Sequence, residues 1–137
     1  MKRREYSSPA CMAHELTGEQ SMCPVKIKRI YEPRARGDGY RILVDRLWPR
    51  GVAKAKAGLH AWAREIAPST ELRQWFDHQS PRWSEFRKRY RRELATHEAE
   101  IEGIRNLARK RPVTLLYAAR DLEHNHARVL QEVIEAV

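Results

Sequence analysis

The segment Val113-Thr114-Leu115-Leu116-Tyr117-Ala118-Ala119 is almost continuously apolar, and it constrains the fold of this chain more than any other stretch. A strand with one wet face alternates apolar and polar residues. An unbroken apolar run of this length suits a strand covered on both faces, as in a parallel sheet with crossover connections. Two further strands are legible. Residues 25–31 are β-branched and partly alternating, and Glu32-Pro33 ends them. Gly37-Asp38-Gly39 signals a turn, and residues 40–47 form a second strand that stops at Trp48-Pro49-Arg50-Gly51. Proline lacks a ladder donor and glycine permits positive φ, so a sharp loop is expected there.

Helices fill the chain between. Residues 59–66 alternate weakly and read as strand or helix. Ser69 is a good N-cap ahead of Leu72, Trp75 and Phe76. A stronger helix opens at Ser80-Pro81, with a stripe through Trp83, Phe86, Tyr90, Leu94, Ile101, Ile104 and Ala108. His97 lies on that stripe and is expected to be a packed core residue. Pro112 closes the region, residues 120–125 form a polar turn, and Ala127, Leu130, Val133, Ile134 and Val137 mark a closing amphipathic helix. The pattern predicts a small three-layer α/β domain, a largely parallel sheet flanked by helices, with 42–47 and 113–119 as neighbouring or near-neighbouring parallel strands.

A chain of 137 residues holds one domain, placed at 23–137, and needs no metal or disulfide to fold. Residues 1–22 lack periodicity and read as a disordered extension. Cys11 and Cys23 show no CxxC spacing, so neither a disulfide framework nor a structural zinc is expected, nor any other cofactor. No apolar run approaches the ~20 residues of a membrane span. The charged start is not followed by a signal-peptide core, so the expected location is the cytoplasm. The net charge of +9 is concentrated: residues 26–56 carry ten Lys/Arg against three acids, and residues 82–92 carry six against one. Such surfaces either attract anions, nucleic acid included, or merely solvate the fold. The second reading is preferred for 82–92, and both stay open for 26–56.

In parallel α/β sheets ligands bind beyond the carboxyl ends of the strands. One such end delivers Asp45, Arg46, Trp48 and Arg50; another delivers Asp121, Asn125 and His126 at the start of the last helix. A guanidinium and a helix N-terminus together suit phosphate, sulfate or carboxylate. Arg73 and His78 are expected as wall residues. For a catalytic site, His126 is the acid/base candidate, with Asp121 beside it. The competing expectation is that Asp45 and Arg46 make ordinary ion pairs and that Asp121 caps the last helix. His124 and His126, at i and i+2, do not share a helix face, so no metal site is expected there. Gly37-Asp38-Gly39 matches no phosphate-loop pattern.

Several runs resemble one family. Asp38-Gly39-Tyr40-Arg41-Ile42-Leu43-Val44-Asp45-Arg46-Leu47-Trp48-Pro49-Arg50-Gly51, Trp83…Phe86…Tyr90, and Thr114-Leu115-Leu116-Tyr117-Ala118-Ala119-Arg120-Asp121…Asn125-His126-Ala127 look like the YeaO-like family of uncharacterised proteins (domain of unknown function 488). The resemblance runs from Val25 to the end of the chain and implies a compact α/β fold, with no activity to carry over. Longer relatives of the wider family place cysteines where Tyr117 and Asn125 stand here; His126 and Asp121 match, and Ala127 replaces an arginine. Cysteine-based phosphatase, sulfurtransferase or metal chemistry at that loop is therefore disfavoured. Two expectations follow: a site for a small anionic molecule, enzyme or sensor, or a nucleic-acid-binding or regulatory module using the basic surfaces. Only weak, non-specific nucleic-acid binding is expected, and a homodimer is compatible with the sequence.

Overall fold

The computed structural model describes residues 22–136. The expectation for the N-terminal extension therefore lies outside the described residues, save Met22, which packs against the core. Four strands form one parallel sheet: β1 (Val25–Arg29), β2 (Tyr40–Leu43), β3 (Ala61–Trp62) and β4 (Val113–Tyr117), in the order β1-β4-β2-β3. The last strand in sequence is thus central. Leu115 stands in register between Ile27 and Ile42, and every residue of β4 is buried. Burying one such leucine contributes about 1.5–3 kcal/mol.

The helices are α1 (Lys54–Ala57), α2 (Thr70–Phe76), α3 (Trp83–Leu94), α4 (Glu98–Ala108) and α5 (His126–Glu135). The β3–β4 crossover carries α2, α3 and α4. These and α5 bury Phe86, Tyr90, Ile101, Leu130 and Ile134 against the sheet face of Val113, Leu115 and Tyr117. The opposite face has a thinner cover: Ile30, Leu43 and Leu116 pack with Trp48, Val52 and Leu59 of the β2–β3 connection and with Trp62 of β3. Right-handed crossovers require this division. The chain steps outward from β1 to β2 to β3 and then returns to the centre, so the return must cross the other face.

That thinner face also holds a buried polar knot. Asp38 accepts from Lys28 Nζ at 3.0 Å, from the Ala35 amide at 3.0 Å and from the Arg41 guanidinium, whose other nitrogens donate to the carbonyls of Ala57 and Gly58. Burial alone would raise the Asp38 pKa. The Ala35 amide, Lys28 and Arg41 outweigh it and hold the carboxyl below its ordinary value.

Several local expectations change in the folded chain. The second strand ends at Leu43 rather than 47, because Asp45 and Arg46 turn to side-chain work at the sheet edge. The long helical stripe breaks into α3 and α4 at a 3₁₀ turn, Ala95–His97, which leaves His97 half-exposed near Glu100 rather than in the core. Residues 59–66 resolve into the two-residue β3 and a 3₁₀ turn, Arg64–Ile66. Cys23 is buried, its amide donating to the Ala108 carbonyl at 2.6 Å.

Candidate functional site

A cleft of about 410 Å³ opens at the carboxyl edge of the sheet, between the ends of β2 and β4 on one side and α2 and α3 on the other. Six of the nine expected residues line it: Asp45, Arg46, Arg73, His78, Asn125 and His126. Pro68, Phe76 and Phe86 add apolar wall, and His124 a further imidazole.

Asp45 is the hinge pin of the site. Its Oδ2 accepts from the Ala118 amide at 3.1 Å, so a side chain replaces the ladder bond where β2 and β4 part. Its Oδ1 lies 2.8 Å from His126 Nε2, which also sits 3.1 Å from the Val44 carbonyl. The Nε2 hydrogen points better at the carbonyl, leaving Oδ1 without a well-angled hydrogen bond despite the short contact. Both neighbours of Nε2 are acceptors, so in the neutral ring the proton belongs on Nε2 and the lone pair on Nδ1. Tyr90 packs edge-on against this imidazole and donates its hydroxyl to the Ile66 carbonyl at 2.6 Å. Burial, with Glu93 and Asp45 nearby, pushes the Tyr90 phenol far above its usual range and keeps it neutral.

Arg46 lines the cleft, and it does not make the ion pair with Asp45 or Asp121 that was the competing expectation. Its Nε and Nη2 donate to the carbonyls of Pro68 and Ala67 at 2.9 and 3.0 Å, fastening the β2 end to the segment before α2. No carboxylate pairs with it among the described residues, so its charge stays uncompensated at the cleft wall. Arg73, one α2 turn before the helix end, is exposed and makes no side-chain hydrogen bond or ion pair among the described residues. Helix α2 then ends on two consecutive left-handed residues, Asp77 (φ 45°) and His78 (φ 54°), which turn the chain back and set His78 at the rim. Aspartate and histidine are among the side chains that tolerate this region.

Asn125 caps α5. Its Oδ1 accepts from the Arg128 amide at 3.0 Å and its Nδ2 donates to the Asp121 carbonyl at 2.9 Å. An amide can do both, whereas a cysteine in that place could not. The cap is therefore Asn125 and not Asp121. Asp121 lies beside the cleft rather than in its lining, and its Oδ1 accepts from the amides of His124 and Glu123, both at 2.9 Å. Those two bonds, His124 first, hold its carboxyl below the ordinary value. The loop so tightened presses His124 against Trp83, ring centroids 5.1 Å apart.

Trp48 and Arg50 are not in the site, which corrects the expectation for both. Trp48 turns to the thinner face, donating Nε1 to the Val52 carbonyl at 2.7 Å and packing edge-on against Trp62. Arg50 is exposed, and its carbonyl accepts from the Tyr31 hydroxyl at 2.9 Å. The missing strand residues between Leu43 and Leu47 explain this: once the chain leaves the ladder, alternation no longer predicts direction. His124, which the same strand end delivers with Asn125 and His126, also lines the cleft, and Gln74 and Asp77 line it without having been expected there. The polar 120–125 turn was the signal for His124; nothing in the sequence marked the turn at Asp77.

Much of the basic surplus is structural. In 26–56, Lys26, Lys28, Arg29, Arg41 and Arg46 all donate to carbonyls or to Asp38. In 82–92, Arg87 and Arg91 share Glu132, Arg89 pairs with Glu85, and Arg82 and Arg89 lie over the Trp75 ring. Among the described residues no group of His, Cys, Asp and Glu is arranged to hold a metal ion, and no helix is long and apolar enough to cross a membrane.

Comparison with known proteins places this architecture. The chain is 46% identical over 113 residues to "Uncharacterized protein YeaO" of Escherichia coli (strain K12), covering 82% of this chain and 98% of that one. It is 40% identical over 110 residues to "Uncharacterized protein Mb3100c" of Mycobacterium bovis, covering 80% and 92%. "Uncharacterized protein Rv3073c" of Mycobacterium tuberculosis matches to the same degree. No solved structure matches. The family model described as "Inactive DUF488-N3 subclade" matches residues 24–137, and the chain belongs to this YeaO-like DUF488 family.

Proposed function

We propose that the carboxyl-edge cleft binds a small anionic ligand bearing a phosphate, sulfate or carboxylate, and that the protein acts by binding rather than by turnover. The observation that carries this is the charge balance of the lining. Arg46 and Arg73 line the cleft without a carboxylate partner among the described residues, and His78, His124 and His126 join them. Against these stand two lining acids: Asp77, exposed at the rim, and Asp45, whose Oδ2 is taken by the Ala118 amide and whose Oδ1 lies 2.8 Å from His126 Nε2. Three histidines, His78, His124 and His126, add donors, and Phe76, Phe86 and Pro68 supply the dry wall that strengthens such contacts. The word "Inactive" in the family's description, and Tyr117 and Asn125 in place of the cysteines of longer relatives, support binding without chemistry.

The test is a thermal-shift series with inorganic phosphate, sulfate, acetate and adenosine monophosphate. Arg73 is the informative position because its exposed side chain makes no hydrogen bond or ion pair among the described residues, so its removal should leave the fold nearly intact. Arg73→Ala should weaken binding of whichever anion shifts the wild type by about 10- to 150-fold, the worth of one charge-assisted hydrogen bond. Arg50→Ala, outside the cleft, should leave it unchanged. The proposal fails if none of the four anions raises the melting temperature, or if the shift survives Arg73→Ala intact.

A further inference from the structure

At the opposite edge of the sheet three strands begin side by side, and the residues introducing them are cationic or aromatic. The order β4-β2-β3 brings together Arg111, two residues before β4, Tyr40 at the first position of β2, and His60 immediately before β3. The Tyr40 amide donates to the Pro112 carbonyl at 2.9 Å, which fixes the first two segments against each other. Arg34 reaches in from the β1–β2 connection. Its guanidinium lies 3.0 Å from where a Cβ on Gly58 would stand, so the glycine leaves room for it beside the turn into β3.

The rings of Tyr40 and His60 stack, centroids 4.8 Å apart and planes 23° from parallel. The His60 ring is also anchored, its Nδ1 accepting from the Arg41 amide at 3.0 Å, while its outer side is exposed. No acid answers these cations. Neither Arg34 nor Arg111 pairs with a carboxylate among the described residues, and nearby Asp38 is buried under Lys28 and Arg41. The imidazole registers the resulting field: burial first, then Arg34, Arg111 and Arg41, hold its pKa below the ordinary value.

We propose that this amino-terminal edge is a docking surface for single-stranded nucleic acid, with Arg34 and Arg111 on phosphates and a base stacked on the outer face of the His60–Tyr40 pair. Unpaired cations flanking an anchored, outward-facing ring pair are the two ingredients of such binding: the charges track the backbone and the rings take an unstacked base of any identity. A duplex offers no free base face to the rings. The edge is separate from the anion cleft by the length of the strands, roughly 16 Å for the five residues of β4 at about 3.3 Å each. A ligand in the cleft would not compete with it, and neither proposal depends on the other.

The test uses a labelled 20-mer of deoxythymidine and fluorescence anisotropy across a salt series. The double variant Arg34→Glu with Arg111→Glu should lose at least tenfold in affinity, keep its urea midpoint, and lower the slope of log K against log salt by more than the roughly 1.4 expected from removing two phosphate contacts alone. Lys88→Glu with Arg92→Glu, on the exposed side of α3, changes the net charge equally and serves as the control; it should bind within about threefold of wild type. In the wild type, NMR titration of the His60 ring should show its protonation moving to higher pH once the oligonucleotide is bound, because bound phosphates cancel the field of the arginines. Equal loss in the control variant, an unmoved His60 titration, or no wild-type binding at low salt would each overturn the proposal. Arg73→Ala should bind the oligonucleotide as wild type does.

Discussion

Removing the carboxylate of Asp45 should be the most costly single change at the cleft, and its cost divides into two separable parts. Asp45 and His126 are 14% and 15% exposed, so neither interaction is heavily screened. Asp45→Ala strands the Ala118 amide at the point where β2 and β4 diverge, worth about 1–3 kcal/mol. It also removes the contact with His126 Nε2, whose hydrogen favours the Val44 carbonyl; a poorly angled contact to a charged acceptor is worth about 1–1.5 kcal/mol, below the full range for such bonds. The total expected loss is about 2–4.5 kcal/mol, a large share of the stability of a domain this size. Urea unfolding followed by tryptophan fluorescence on wild type, Asp45→Ala, His126→Ala and the double variant isolates the second part as a coupling energy. A coupling near 1 kcal/mol is expected. A value under about 0.4 kcal/mol, within the additivity of unconnected sites, would refute the link between the two side chains and leave Asp45 as a strand-end fastener only.

Other consequences are simpler to state. Asp38 titrates below its unfolded value in the native state, so its contribution to stability is complete above about pH 4 and is lost as the pH falls through the lower, folded value. Asp38→Asn should flatten that acid limb of stability and cost about 3–5 kcal/mol at neutral pH, because Arg41 is left buried without its counter-charge; chemical denaturation at pH 3 to 7 measures both. Gly39→Ala should destabilise strongly, since φ is 66° and a Cβ there would stand 2.2 Å from the Pro112 carbonyl oxygen, against which β2 starts. A melting temperature within a degree of wild type for Gly39→Ala would contradict that geometry.

Periodicity and apolarity are local properties, and what they determine about this chain was readable from residues alone. The unbroken apolar texture of 113–119 marks a strand covered on both faces, and the helical chain between 42–47 and 113–119 makes the two parallel, whereas the central place of β4 is a matter of the strand order. Ser69 as a cap, the stripe through Phe86 and Tyr90, and the gathering of Asp45, Arg46, Asn125 and His126 at one edge follow from the same reasoning and from strand direction. Only the tertiary structure decided what each charge does. Arg41 and Arg34 both sit in one basic stretch, yet Arg41 is 2% exposed over Asp38 and Arg34 lies open beside His60. Arg46 looks like a ligand arginine and is first a clamp on two carbonyls; Trp48 and Arg50 follow it by two and four residues and leave the cleft altogether. The reason is physical: a hydrophobic face is specified by a repeating pattern, whereas the partner of a polar side chain is set by whichever donor or acceptor crosses from a distant segment. Here those partners lie about 20 to 80 residues away along the chain, at Ala67, Ala118 and His126.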